Sequence, residues 1–230
     1  PDWESRKADI RSRIQWGLGD EPPGVVNPGP GSLAKGGRGE DGFGTFLTRP
    51  RPSAGMGMMA ITPYNGFGDY LFGYLYYPRD EKGNLKNDRL PIVVYLHEYD
   101  YSKGFSSNQQ EEIASLVQSI VDSGFAVFSF DMLGCGNRIE EGTRFYHRYP
   151  HWSKMGKMVT DVRGAVDALV NLDFIDSTKI FVAGYTLGAT VGLYAAAMDD
   201  RIAGVVSVAG FTPMRMNTPD RGTEGIKAYS

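Results

Sequence analysis

The chain has 230 residues, 41% of them hydrophobic, and this length and composition fit a water-soluble globular protein with one large core. The formal net charge of −3 provides no strong field, and no apolar run is long enough to cross a bilayer, so we expect no nucleic-acid or membrane partner. Cys135 is the only cysteine, which excludes an internal disulfide. A start at Pro1 is compatible with removal of a leader, which leaves a secreted or periplasmic location open.

The beginning of the chain is predicted to be a helix followed by an arm. Four apolar side chains recur there near helical spacing: Trp3, Ile10, Ile14 and Leu18. Their spacing predicts an amphipathic helix over 2–18 that packs on the main body. Residues 19–55 are rich in Gly and Pro, and we expect either an ordered arm or a flexible tail. We therefore divide the chain into this N-terminal part, 1–55, and a main domain, 56–230.

The main domain is predicted to alternate between strands and helices. Two antiparallel strands open it, over 56–62 and 69–77. Four largely apolar runs predict further strands: 90–96, 125–130, 179–184 and 204–210. Three helices lie between these four strands: 113–124, 155–170 and 187–198. Because buried strands alternate with helices, we predict an α/β fold with a mostly parallel sheet that is covered on both faces.

The segment Gly184–Gly188 is predicted to be a sharp turn from a strand into a helix. Its sequence, G-Y-T-L-G, has the spacing of G-x-S-x-G, with a threonine where that pattern has its serine. Glycines at both ends allow the chain to bend and to present one hydroxyl at the N-terminus of the following helix. The pattern therefore predicts that Thr186 lies at the apex of the turn.

Three motifs in this order resemble those of the α/β-hydrolase superfamily. Tyr95–Tyr99 is similar to the strand-end H-G-Y segment, Asp131–Gly136 is similar to D-x-x-G-x-G, and Gly184–Gly188 is similar to the nucleophile elbow. The resemblance covers about 69–211, and the chain looks most like the acetyl xylan esterase and dienelactone hydrolase branch, close to the prolyl oligopeptidase type of catalytic domain. It implies a three-layer sandwich and acyl transfer without a cofactor or a metal.

The resemblance also implies roles for individual residues. Thr186 takes the nucleophile position, and the backbone N–H groups of Tyr99 and Leu187 form the oxyanion hole. His147 and Trp152 lie in an aromatic and basic stretch between a strand and a helix. We expect them to line a substrate pocket, and a packed loop with solvated imidazoles is the alternative.

Other patterns support competing sites only weakly. His97-Glu98 lacks the second histidine of H-E-x-x-H, because position 101 is a tyrosine. Gly134-Cys135-Gly136 lacks the third glycine of a dinucleotide fingerprint, because that position is Ile139. Cys135 is expected to be a small buried filler, and Asp161 a structural residue that bonds a neighbouring loop.

Three departures from the hydrolase pattern bear on activity. Thr186 places a β-branched side chain where the backbone is expected to be strained. Glu98 replaces the glycine of H-G-Y and brings a negative charge beside the expected oxyanion. All three histidines precede Thr186, whereas the acid and the base of this fold follow the nucleophile in the chain.

These departures shape the predicted function. Only 44 residues follow Thr186, so the chain is expected to stop after the sixth predicted strand, as a fragment, as half of a cleaved enzyme or as a natural truncation. We predict an esterase for a small-molecule ester, with the acid and the histidine supplied from outside this chain. A second polypeptide or a neighbouring copy is expected to complete the sheet. A catalytically inactive binding or structural module and a prolyl oligopeptidase-type peptidase are the alternatives.

Overall fold

The computed structural model describes the N-terminal helix and most of the main domain. The described residues are 2–22, 33–34, 55–63, 67, 71, 73–87, 89–99, 104–105 and 112–211. Most of the predicted arm over 19–55 and the polar tail after 211 lie outside them. The predicted division of the chain at 55 therefore stays a prediction.

Strands form the centre of the described structure. They are β1 (Leu33–Ala34), β2 (Met56–Pro63), β3 (Gly73–Pro78), β4 (Leu90–Leu96), β5 (Ala126–Phe130), β6 (Ile175–Tyr185) and β7 (Ile202–Val208). Within the described residues they make one sheet in the order β1-β2-β3-β5-β4-β6-β7. The pairs β1–β2, β2–β3 and β3–β5 are antiparallel, whereas the pairs β5–β4, β4–β6 and β6–β7 are parallel. The predicted antiparallel opening and parallel sheet are both confirmed.

Four strands differ from the prediction. β3 begins at Gly73 rather than at 69, and β7 is Ile202–Val208 rather than 204–210. The other two differ for identifiable reasons. β1 has only two residues and lies in a stretch rich in Gly and Pro, where no apolar alternation marks a strand. β6 begins at Ile175 rather than at 179, because Ile175 already pairs with Leu90 of β4. The intervening residues 176–179 are polar, so hydrophobicity alone places the start of the strand too late.

Helices cover both faces of the sheet. They are α1 (Trp3–Leu18), α2 (Glu112–Asp122), α3 (Ile139–Thr143), α4 (Phe145–Arg148), α5 (Lys154–Leu169) and α6 (Leu187–Met198). α5 and α6 bury their apolar sides in the larger core cluster, and α2 buries Val117 and Val121 on the other face. The predicted three-layer α/β sandwich is confirmed. α3 and α4 were not predicted, because they are too short for an apolar stripe to show.

α1 packs on α5 and α6, as expected, through the C-terminal half of its apolar stripe. Leu18 is buried in the larger core cluster and Ile14 packs against it, whereas Trp3 is 66% exposed. Polar contacts also attach the helix: Lys7 and Arg11 pair with Asp200 at 2.8 and 2.6 Å. In the part of the chain that the structure describes, no helix combines the length and the apolar content needed to cross a membrane.

Candidate functional site

Thr186 occupies the turn between β6 and α6. Its φ of 47° and ψ of −107° lie in a region that β-branched residues rarely adopt. Neighbouring groups hold this conformation: the Thr186 N–H donates to Val208 O at 2.9 Å, and Thr186 O accepts from the N–H of Thr190 at 3.1 Å. The turn predicted from the sequence is therefore present, with Thr186 at its apex.

The two glycines of the turn permit close packing. A Cβ atom on Gly184 would lie 2.5 Å from Gly188 O. A Cβ atom on Gly188 would lie 2.5 Å from His97 O, and still closer to Leu96 O. Because these neighbours are backbone atoms, neither position accepts a larger residue without a shift of the main chain. The first turn of α6 thus lies against the C-terminal end of β4.

The strand-end segment of residues 97–99 begins at that contact. His97 is only 2% exposed, and its Nδ1 lies 2.5 Å from Glu98 O. Its Nε2 accepts a hydrogen bond from the Met132 N–H at 3.0 Å. Tyr99 is 41% exposed. The segment is therefore fixed at its buried end and reaches the surface two residues later.

The carboxylate of Asp131 connects the same region to the turn after β5. Its Oδ1 accepts from the Phe105 N–H at 2.7 Å, and its Oδ2 accepts from the Asn137 N–H at 3.0 Å. The side-chain amide of Asn137 donates to Oδ2 as well, at 2.9 Å. Sequence reasoning recognised the D-x-x-G-x-G motif but missed this carboxylate. The available signal was an Asp ahead of a Gly-rich turn, which is typical of side-chain bonding to nearby backbone N–H groups.

Four charged side chains form a cluster behind this turn: Arg138, Lys157 and Asp161, which are buried, and Glu141, which is partly buried. Arg138 contacts Glu141 and Asp161, each at 2.7 Å, and Lys157 contacts Asp161 at 2.6 Å and Glu141 at 3.2 Å. Burial alone would lower the pKa of the Arg138 guanidinium, but the carboxylates of Asp161 and Glu141 raise it above its ordinary value. The prediction that Asp161 is a structural residue bonded to a neighbouring loop is confirmed.

Glu98 gives the site a negative charge. Burial raises the pKa of the Tyr95 hydroxyl, and the Glu98 carboxylate raises it further. The predicted effect of this charge on an oxyanion beside Tyr99 stays a prediction.

The residues predicted to line a substrate pocket have different surroundings. His147 is exposed on α4. Trp152 is 3% exposed and packs against Phe67, with ring centroids 4.8 Å apart, and against Tyr149, at 5.5 Å. Contact of either side chain with substrate stays a prediction. Cys135 is fully buried, so its predicted role as a filler is confirmed.

The described groups form an arrangement suited to nucleophilic attack beside an anion site. Leu187 is the first residue of α6, so its N–H has no intrahelical acceptor and lies at the positive end of the helix dipole. The Thr186 hydroxyl precedes it directly, and the packing of Gly188 brings the 97–99 segment alongside. A hydroxyl next to a helix N-terminus can attack a carbonyl whose oxygen becomes negative.

Comparison with known proteins agrees with the predicted family and fold. The family model for serine aminopeptidase, S33, matches residues 106–226, just over half of the chain. Hydrolase LUC6 of a Fusarium species is 35% identical over 149 residues, which are 64% of this chain and 32% of that protein. The 2,6-dihydropseudooxynicotine hydrolase of Paenarthrobacter nicotinovorans is 28% identical over 145 residues, 60% of this chain and 37% of that protein. The chain thus spans about a third of the length of these curated relatives.

Solved structures share the fold at low sequence identity. The acetyl xylan esterase of Paenibacillus sp. R4 superposes with a TM-score of 0.54 at 17% identity, over 72% of this chain and 52% of that one. The glucuronoyl esterase of Solibacter usitatus gives a TM-score of 0.59 at 14% identity, over 90% of this chain and 59% of that one. At these identities the likeness shows the fold alone.

Proposed function

Because the chain belongs to the serine aminopeptidase S33 family of α/β-hydrolases, we propose that the whole protein hydrolyses carboxylic esters by acyl transfer. Thr186 Oγ1 attacks the ester carbonyl and forms an acyl-enzyme, while the alcohol leaves with a proton. Water then releases the acid and restores the Thr186 hydroxyl. The base that accepts the Thr186 proton is a histidine paired with an acid, both supplied from outside this chain.

The backbone N–H groups of Leu187 and Tyr99 stabilise the oxyanion in this scheme. Preorganised donors contribute about 3 to 4 kcal/mol each, because they need no rearrangement as the negative charge develops. The observation that supports the proposal most is the turn at Thr186, where a β-branched residue keeps a positive φ. Strained backbone of this kind costs about 1–3 kcal/mol and is found most often at active sites.

The names of two structural relatives suggest a substrate class to propose. An acetyl xylan esterase and a glucuronoyl esterase, by their names, act on esters attached to carbohydrate. We therefore propose a small ester, with acetylated sugars as the first compounds to test. A second polypeptide segment or a neighbouring copy would supply the rest of the pocket.

Substitution of Thr186 tests the nucleophile directly. In the whole protein, Thr186→Ser keeps the hydroxyl and removes the methyl group that strains the turn, so hydrolysis of p-nitrophenyl acetate is expected to rise. A barrier lowered by about 3 kcal/mol corresponds to roughly a hundredfold in rate. Thr186→Ala deletes the nucleophile and is expected to abolish turnover. Equal rates for all three proteins would show that Thr186 is not the nucleophile.

Two other functions would give different results when esters and anilides are compared as substrates of the same three proteins. The description of the family favours a peptidase, which would release p-nitroaniline from aminoacyl p-nitroanilides faster than it cleaves the matched esters. The negative charge of Glu98 and the threonine at the turn favour an inactive binding or structural module, for which all three proteins would be inactive towards both substrates.

A further inference from the structure

His97 makes two hydrogen bonds that the acyl-transfer scheme does not use. Nε2 accepts from the Met132 N–H, so the ring proton is assigned to Nδ1, which donates to Glu98 O at 2.5 Å. The imidazole is therefore neutral, with one nitrogen accepting and the other donating. With 2% exposure, the ring is held between the turn after β5 and the peptide that follows it in the chain.

The bond to Glu98 O also fixes the orientation of the N–H group in the same peptide. A trans peptide is planar, and its C=O and N–H groups point in opposite directions. Glu98 O and the Tyr99 N–H belong to the same peptide plane. We propose that His97 is a positioning residue, an inference that rests on the proposed function. By holding Glu98 O on one side of the peptide, it orients the Tyr99 N–H on the other side towards the substrate oxygen.

The surroundings make this orientation rigid. Met132, whose N–H bonds to Nε2, is 1% exposed and lies next to Asp131. Asp131 accepts a hydrogen bond from the Phe105 N–H, so His97 and Phe105 bond to adjacent residues of one buried turn. The packing of Gly188 against His97 O fixes this segment relative to the first turn of α6. Rotation of the ring would therefore move the Glu98–Tyr99 peptide relative to Thr186.

Two substitutions separate the two bonds of His97. The Asn side chain in His97→Asn places its amide nitrogen where Nδ1 was and can still donate to Glu98 O. The Gln side chain in His97→Gln reaches the place of Nε2 and can still accept from the Met132 N–H, but it leaves Glu98 O without its donor. Ser129→Ala serves as a matched control, because it deletes a buried bond of 2.8 Å to Tyr95 O in the same sheet.

The kinetics of p-nitrophenyl acetate hydrolysis by the whole protein distinguish positioning from simple support of the fold. We expect His97→Gln to lower kcat at least 30-fold with KM changed less than threefold, since loss of one oxyanion donor costs about a hundred- to a thousandfold. His97→Asn should retain at least ten times the kcat of His97→Gln. Ser129→Ala should lower the denaturation midpoint and leave kcat within twofold. Equal kcat for the Asn and Gln variants, or a loss confined to KM, would overturn the proposal.

Crystal structures of the two variants provide a test that does not need activity. We expect Glu98 O to keep its direction in His97→Asn and the Glu98–Tyr99 peptide to rotate in His97→Gln. An unchanged peptide in both variants would overturn the positioning role. If the wild-type protein cleaves no ester, the proposed function fails, and these structures still decide whether His97 orients the peptide.

Discussion

At the residue scale, Thr186 adopts a conformation that its own side chain disfavours. A β-branched residue with a φ of 47° is held there because its N–H donates to Val208 O and its C=O accepts from the Thr190 N–H. Thr190 is itself anchored, because its Oγ1 donates to Gly210 O at 2.6 Å. The strained turn is therefore supported by α6 and by the chain after β7, and its geometry depends on segments distant from it in sequence.

The close approach of Gly188 leads to a prediction about stability. In Gly188→Ala the new Cβ would collide with Leu96 O and His97 O, which are backbone atoms with little freedom to move. Overpacking of this kind costs about 1–3 kcal/mol, and we expect a loss in that range in urea denaturation. Gly17→Ala on α1 is the matched control, because nothing lies within 4 Å of its Cβ position. The control should gain about 0.5–1 kcal/mol from helix propensity. A Gly188→Ala protein as stable as the wild type would contradict the tight packing of the turn.

At the element scale, helix α5 joins the turn after β5 through buried charges. Two cations and two carboxylates balance there, with Lys157 fully buried and Arg138 5% exposed. These charges are compatible with a stable fold only as a complete set, because a buried ion without its partner has lost its hydration and gains no compensating interaction.

Removal of one member of the cluster tests this balance. Lys157→Met leaves an excess buried carboxylate and is expected to cost about 3–5 kcal/mol in urea denaturation. The double variant Lys157→Met/Asp161→Leu restores the charge balance and should be more stable than the single variant. Arg13→Met is the control, because Arg13 pairs with Asp9 at 3.0 Å with the same i,i+4 spacing but on the surface. Equal effects of Lys157→Met and Arg13→Met would contradict the view that burial makes the cluster sensitive.

The difference between local patterns and contacts between distant residues explains which features could be predicted from the sequence. The strand runs, the helical stripes and the Gly184–Gly188 turn are local patterns, so the order of elements and the position of Thr186 were predictable. The bond from the Phe105 N–H to Asp131 and the bond from the Met132 N–H to His97 join residues 26 and 35 positions apart, and no local pattern marks these two bonds. The apolar spacing predicted α1, but its ion pairs to Asp200 were not predictable, since they join residues nearly 200 positions apart.

At the scale of the whole molecule, β7 is an exposed edge in the described sheet. It pairs with β6 on one side, and in the described residues no strand follows on its other side. Val206 and Val208 are 60% and 49% exposed, and Phe211 just beyond the strand is 82% exposed. Side chains of this kind on an unprotected edge favour pairing with another chain.

We therefore expect this 230-residue chain, prepared alone, to self-associate through β7. Light scattering after size exclusion should show a mass that rises with concentration over the micromolar range. Val206→Lys places a charge on the edge strand and should lower the association, because edge charges oppose strand pairing. Trp16→Lys is the control, since Trp16 is 88% exposed on α1, away from the sheet edge. If both substitutions lower the association equally, general apolar exposure and not the edge is responsible. A monomer at every concentration, with a cooperative thermal transition, would show that β7 needs no further polypeptide.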